Sequence, residues 1–202
     1  MPIRYDVITF DCYGTLIDWE GGIVAAFQTA ARTDGVTLDR EQILRAHAEI
    51  EPQVQREGYR RYRDVLTEVA VRAAPRLGWR LAPERARFLA DSLAGWRAFD
   101  DTNPALERLR AAGYQLGILS NIDDDLLAGT RKHFTVPFDT LVTAEHVRSY
   151  KPAAGHFRKA RELIGNQRWL HAGQSWFHDV AACCALGIPV VWVNRKREPA
   201  AG

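Results

Sequence analysis

Five short runs rich in apolar residues recur along the chain, at 5–10, 115–120, 140–143, 169–173 and 189–193. They do not alternate with polar positions, as strands with one wet face would. Such runs suit parallel strands covered on both faces. Between them lie segments with apolar residues at helical spacing, at 104–112, 123–133, 154–164 and 180–186. Gly113, Gly165 and Gly187 stand where helices would stop. Strand alternating with helix predicts an α/β fold: a Rossmann-like parallel sheet with helices on both faces.

One interval breaks the alternation. Residues 20–96 contain no convincing strand and read as three or four consecutive amphipathic helices, punctuated by Gly35, Gly58, Gly78 and Leu81-Ala82-Pro83. Asp39 is placed to cap the run containing Ile43, Leu44 and Ala48. The expected organisation is a discontinuous core, 1–16 and 98–202, around an inserted helical cap, 17–97. Trp19, Trp96, Tyr59 and Tyr62 either line a pocket or pack the cap. Residues 195–202 read as a frayed basic tail without catalytic residues.

Composition narrows the function. The 202 residues are 47% hydrophobic, as in a folded domain. No apolar stretch approaches the ~20 residues that cross a bilayer. The first six residues lack the layout of a secretory leader. Three cysteines, two of them adjacent, make neither a disulfide framework nor a zinc spacing, so a reducing cytoplasm is the expected compartment. A net charge of +2, from 27 basic and 25 acidic residues, gives no reason to expect nucleic acid or an anionic membrane as partner. Only four of the basic residues are lysines, so each deserves inspection.

Ligands of open α/β sheets bind at the carboxyl ends of the strands. Polar residues stand at four such ends. Asp11, Tyr13, Gly14 and Thr15 follow the first strand, and Ser120 and Asn121 the second. Lys151 follows the third, and Gln174, Ser175, His178 and Asp179 the fourth. Two acids, a hydroxyl–amide pair and a lysine converge on one sheet edge.

Phe10-Asp11-Cys12-Tyr13-Gly14-Thr15-Leu16 resembles motif I of the haloacid dehalogenase superfamily. Leu119-Ser120-Asn121 resembles its motif II, Tyr150-Lys151-Pro152 motif III and His178-Asp179 motif IV. All four stand in order, each after a predicted strand, with the helical insertion where that superfamily carries its cap. Phosphatases of the superfamily have a second aspartate where Tyr13 stands, and it protonates the leaving alcohol. A halide leaves without a proton, so the tyrosine suits carbon–halide cleavage. The chain is thus similar to L-2-haloacid dehalogenases.

The resemblance implies that Asp11 attacks Cα of a small anionic 2-substituted carboxylic acid, forming an ester that water hydrolyses. Lys151 would balance Asp11 and the substrate carboxylate, Thr15 would orient Asp11, and Ser120 and Asn121 would bind substrate or halide. Asp179, with Ser175, would position Lys151 and the water. Tyr13 and Trp176 would line the substrate site, and Arg45 on the cap would contact the leaving group, with Arg56, Arg60 and Arg61 as rivals. No metal or cofactor is implied; magnesium belongs to the phosphatase alternative. The oligomeric state stays open between monomer and homodimer. Trp176 and His178 stand where the dehalogenase pattern has asparagine and an aromatic residue. His178 could donate to the leaving group, activate water or merely pack.

Other residues have plainer readings. Asp123, Asp124 and Asp125 suit the first turn of a helix. Cys12, Cys183 and Cys184 read as packing residues. His47, His133, His146, His156 and His171 have no chemical context in the sequence.

Overall fold

Val7–Phe10 forms β1, and all four of its residues are buried, which places this strand at the centre of the sheet. The computed structural model describes residues 5–197 and 199. The other strands are β2 (Gln115–Ser120), β3 (Thr140–Thr143), β4 (Trp169–Gly173) and β5 (Val190–Trp192). They pair in the order β3-β2-β1-β4-β5, every pair parallel. The three central apolar runs coincide with their strands, whereas β1 and β5 are shorter than predicted. At the sheet edge, Val191 is 48% exposed, and short edge strands limit unwanted pairing. In register, Phe10 lies beside Ile118 on one side and Ala172 on the other. The chain therefore leaves β1, β2 and β4 along a common edge, carrying the polar residues with it.

The helices are α1 (Trp19–Arg32), α2 (Arg40–Arg56), α3 (Tyr62–Arg76), α4 (Phe88–Ser92), α5 (Thr102–Ala111), α6 (Asp124–Thr130), α7 (Ala144–Val147), α8 (Gly155–Ile164) and α9 (Ala181–Ala185). The chain divides into two compact units. The sheet unit comprises Met1–Asp18, Ala98–Asn121 and His133–Gly202; the helical unit comprises Trp19–Arg97 and Ile122–Lys132. Residues 1–4, on which the leader reading partly rests, and 198 and 200–202 of the basic tail lie outside the described residues.

In the sheet unit, Phe157, Ala160 and Ile164 of α8 and Ala182 and Cys183 of α9 pack with Val7, Leu119, Val142 and Trp169. Burying a side chain such as Phe157 contributes about 1.5–3 kcal/mol. The helical unit has its own aromatic centre. Phe27, Trp79 and Phe88 meet pairwise with ring centroids 5.0–6.4 Å apart. Asp39 caps α2 through Gln42 N at 3.0 Å, as its position predicts. Trp96 lies flat against α1, where a Cβ on Gly22 would fall 2.4 Å from the indole. Trp19 stacks near His47 at 5.6 Å, and the Tyr62 hydroxyl donates to Glu51 at 2.6 Å.

Asp124 and Asp125 stand in the first turn of α6, as the acidic run predicts, and Asp123 at its N-cap position has a further role. Asp123 does not cap its own helix. Its buried carboxylate accepts from the backbone N–H groups of Tyr62 (2.7 Å) and Arg63 (3.0 Å), capping α3 from about sixty residues away. Arg61 and Arg63 close over Asp123 and Asp125. That capping ties 122–132 into the helical unit. Among the described residues no helix is long and apolar enough to cross a membrane.

Candidate active site

Asp11 is the first residue beyond β1, held by its N–H bond to Ala172 O at 2.9 Å. Gly14, at φ +95°, then turns the chain so that Leu16 and Ile17 bond back to Cys12 O. This tight loop brings the Thr15 hydroxyl to Asp11 Oδ2 at 2.9 Å, while Thr15 Oγ1 accepts from Gln174 N at 2.9 Å. The other carboxylate oxygen, Oδ1, accepts from Lys151 Nζ at 2.9 Å. Both oxygens of Asp11 are therefore aimed.

Lys151 is the centre of the cluster, its side chain only 1% exposed. An ammonium has three protons. Here they go to Asp11 Oδ1, to Asp179 Oδ1 at 2.6 Å and to Leu119 O at 2.9 Å. Burial alone would favour the neutral amine, but the two carboxylates outweigh it and hold Lys151 protonated. Asp11 and Asp179 share that one cation, and the split is unequal. Burial pushes Asp11 above the usual carboxylate range, with Asp179 adding to the shift and Lys151 opposing it. Burial acts on Asp179 too, but Lys151 and a bond from His171 hold it well below the usual range.

Ser120 and Asn121 end β2. Asn121 is committed to Lys151's own backbone: Oδ1 accepts from Lys151 N at 2.7 Å, and Nδ2 donates to Lys151 O at 3.1 Å. The second motif thereby sets the height of the third. The Ser120 hydroxyl is buried without a protein partner. Its carbonyl accepts from His156 Nε2 at 3.0 Å, from the first turn of α8.

Burial, with Lys151's charge nearby, drops the His156 pKa to about 3. Burial also lowers that of His47. The fold refuses a proton that the unfolded chain accepts near pH 6.5, so this stability is present above that pH and lost as pH falls toward 3. His156 contributes a slope of about 1.4 kcal/mol per pH unit in that window, and His47 acts in the same direction. Thermal unfolding at pH 5 should begin several degrees below that at pH 7, and His156→Gln should flatten the dependence.

Beyond β4, Ser175 opens a π-helical turn, Trp176–Val180, that runs into α9. Such turns recur at functional sites. Ser175 Oγ accepts from His178 N at 3.1 Å and lies 3.0 Å from His178 Nδ1, fixing the ring's orientation. Asp179 packs on the bare backbone of Gly173, where a Cβ would come within 2.5 Å of the aspartate Cβ. Asp179 Oδ2 makes no bond to a protein group. Trp176 packs edge-on against Trp192 at 5.1 Å, and Trp192 Nε1 donates to Gln174 O.

The fold thus brings Asp11, Thr15, Asn121, Lys151 and Asp179 into one bonded group, with Ser120 beside it at the end of β2 and Ser175, Trp176 and His178 on the adjoining turn. Tyr13 is half-buried in the Asp11 loop. Arg45 is exposed on α2 in the helical unit. Its rival Arg60 pairs with Glu57, and Arg61 with Asp123 and Asp125. Arg195 differs from the frayed-tail reading. Its Nε donates to Thr15 O at 2.8 Å, its guanidinium stacks 3.8 Å from the Phe99 ring, and it pairs with Asp101. Two histidines without sequence context, His156 and His171, contact the cluster directly. His171 carried a signal, as a polar residue inside the apolar run 169–173, whereas His156 carried none.

Residues 5–187 match the haloacid dehalogenase-like hydrolase family. The (S)-2-haloacid dehalogenase of Pseudomonas putida is 30% identical over 197 residues, covering 94% of this chain and 84% of that one. Two solved structures share the fold. One is the L-2-haloacid dehalogenase of Xanthobacter autotrophicus with chloropropionic acid covalently bound (TM-score 0.80, 20% identity, 95% of this chain and 78% of that). The other is the HAD-hydrolase YfnB of Bacillus subtilis bound to magnesium (TM-score 0.83, 16% identity, 97% and 92%). The two were solved with different ligands, so the shared fold alone does not choose the chemistry. Its motifs, sheet order and relatives agree: the chain belongs to the haloacid dehalogenase-like hydrolases.

Proposed function

We propose that this protein is a 2-haloacid dehalogenase, hydrolysing the carbon–halide bond of a small 2-halocarboxylate to give the 2-hydroxy acid. The observation that carries the reading is Asp11, bonded at 2.9 Å to a buried ammonium, with tyrosine at position 13 rather than a second acid. An Asp11 oxygen attacks Cα, the new C–O bond forms, and the halide leaves with the C–X electron pair. Water then adds to the Asp11 carbonyl carbon and the ester C–O bond breaks. The 2-hydroxy acid departs, one water proton is released to solvent, and Asp11 keeps the water oxygen.

In this reading Lys151 and Thr15 hold the nucleophile, and Asp179, with Ser175, positions Lys151 and the water. His178 and Trp176 shape the surroundings of that water. Ser120 binds the substrate carboxylate through its uncommitted hydroxyl, and Asn121 contributes by fixing Lys151. The donor set suits magnesium poorly: Lys151 and Thr15 engage both Asp11 oxygens, and Tyr13 offers no carboxylate. The reaction needs neither metal nor cofactor. The (S)-2-haloacid dehalogenase relative supports the substrate class.

The test is halide release from racemic 2-chloropropionate and from chloroacetate with EDTA present, beside phosphate release from an aryl phosphate with magnesium. EDTA-insensitive chloride and 2-hydroxy acid in equal amounts are expected. Magnesium-dependent phosphate release without halide release would overturn the reading.

A further inference from the structure

The β1–β4 pair carries two polar residues in an apolar layer. Thr9 and His171 are register partners on adjacent strands, and both are fully buried. A continuous chain of hydrogen bonds runs through them. Trp169 Nε1 donates to Thr9 Oγ1 at 2.7 Å, and Thr9 Oγ1 lies 2.8 Å from His171 Nδ1. His171 Nε2 lies 3.2 Å from Asp179 Oδ1, the oxygen that also holds Lys151. Phe157 meets the imidazole edge-on at 5.5 Å and fixes its plane.

Both ends of the chain assign the protons alike. The indole N–H can only donate, so it occupies a lone pair of Thr9 Oγ1 and leaves the hydroxyl proton for Nδ1. At the other end an ionised carboxylate can only accept, so Nε2 carries the ring proton and donates to Asp179.

We propose that His171 is a positioning residue, its Nε2–H bond, oriented by Thr9 and Trp169, fixing the rotation of the Asp179 carboxylate beneath Lys151. With Oδ1 held from two sides, Oδ2 has one direction. Without the imidazole bond, Asp179 can turn about Cβ–Cγ and carry the ammonium away from Asp11. The consequence on catalysis rests on the dehalogenase reading and falls on ester hydrolysis, where Asp179 acts, more than on substrate affinity.

His171→Phe keeps a ring and loses the donor; His171→Gln keeps a terminal N–H. In His171→Phe, kcat should fall roughly 10–100-fold with KM within about threefold, as displaced second-layer groups commonly do. The substrate ester on Asp11 should then accumulate in quenched samples weighed by mass spectrometry. His171→Gln should recover most of kcat, and Thr9→Val should fall between. Wild-type kcat in a folded His171→Phe protein, or equal losses in the Phe and Gln variants, would overturn the proposal. Nitrogen-15 spectra of wild-type His171 supply a readout independent of turnover. A protonated Nε2 with an accepting Nδ1 supports the assignment, and a protonated Nδ1 with a bare Nε2 overturns it. Absence of halide release by the wild type would count against the dehalogenase reading alone, and the spectra would still decide for His171.

Discussion

Asp11→Asn should abolish halide release, by about 10⁴-fold or more, and leave the fold as stable as before or more so. The loss of rate follows from replacing the attacking carboxylate with an amide, and removal of a covalent nucleophile has effects of this order. The stability follows from charge. Asp11, Asp179 and Lys151 are a buried group of two anions and one cation. Removing the more exposed anion leaves a matched pair, Lys151 with Asp179. An amide oxygen can still accept from Lys151, and Thr15 Oγ1 can accept from an amide N–H. Halide release by the variant would be compared with its thermal midpoint; a dead but destabilised protein would place the defect in folding.

Lys151→Met should fail on both counts. Two buried carboxylates would face each other without their cation, and one would have to take a proton. Breaking a buried pair by removing one partner costs about 3–5 kcal/mol. The midpoint should therefore drop by roughly 10 °C for a chain of this size. Halide release should fall about 10³-fold, because Asp11, already pushed up by burial, would lose the cation that opposes that shift and favours its charged, nucleophilic form. Adding Asp11→Asn to Lys151→Met should restore part of the lost stability and none of the activity. Such non-additivity is expected of residues in one network. An unchanged midpoint in Lys151→Met would show that the carboxylates find another partner.

Much of this arrangement was legible before any coordinates. Short apolar-rich runs located β2, β3 and β4 to the residue, because strands covered on both faces are mostly apolar throughout. The motif residues stand at the strand ends where parallel topology requires a site. What stayed hidden was pairing over long sequence separation. Nothing in Asp123-Asp124-Asp125 announces that the first carboxylate caps α3. Nothing in Ser120-Asn121 shows that the amide is used on Lys151's peptide instead of facing outward. Arg195 looked like tail because its partners, Thr15 O, Phe99 and Asp101, come from distant segments. His171 was recoverable in principle: once β1 and β4 are set in register, Thr9 and His171 fall side by side. Two buried polar residues at one rung imply a bond.

The central claim is a covalent ester on Asp11, and a single turnover in water enriched in oxygen-18 addresses it most directly. With enzyme in excess over 2-chloropropionate, the lactate formed should carry ordinary oxygen at C2, taken from Asp11. The label should appear in the Asp11 carboxylate of the recovered protein. Heavy oxygen entering the lactate C2 hydroxyl in that first turnover, with Asp11 unlabelled, would mean that water attacks the substrate directly and would contradict the account.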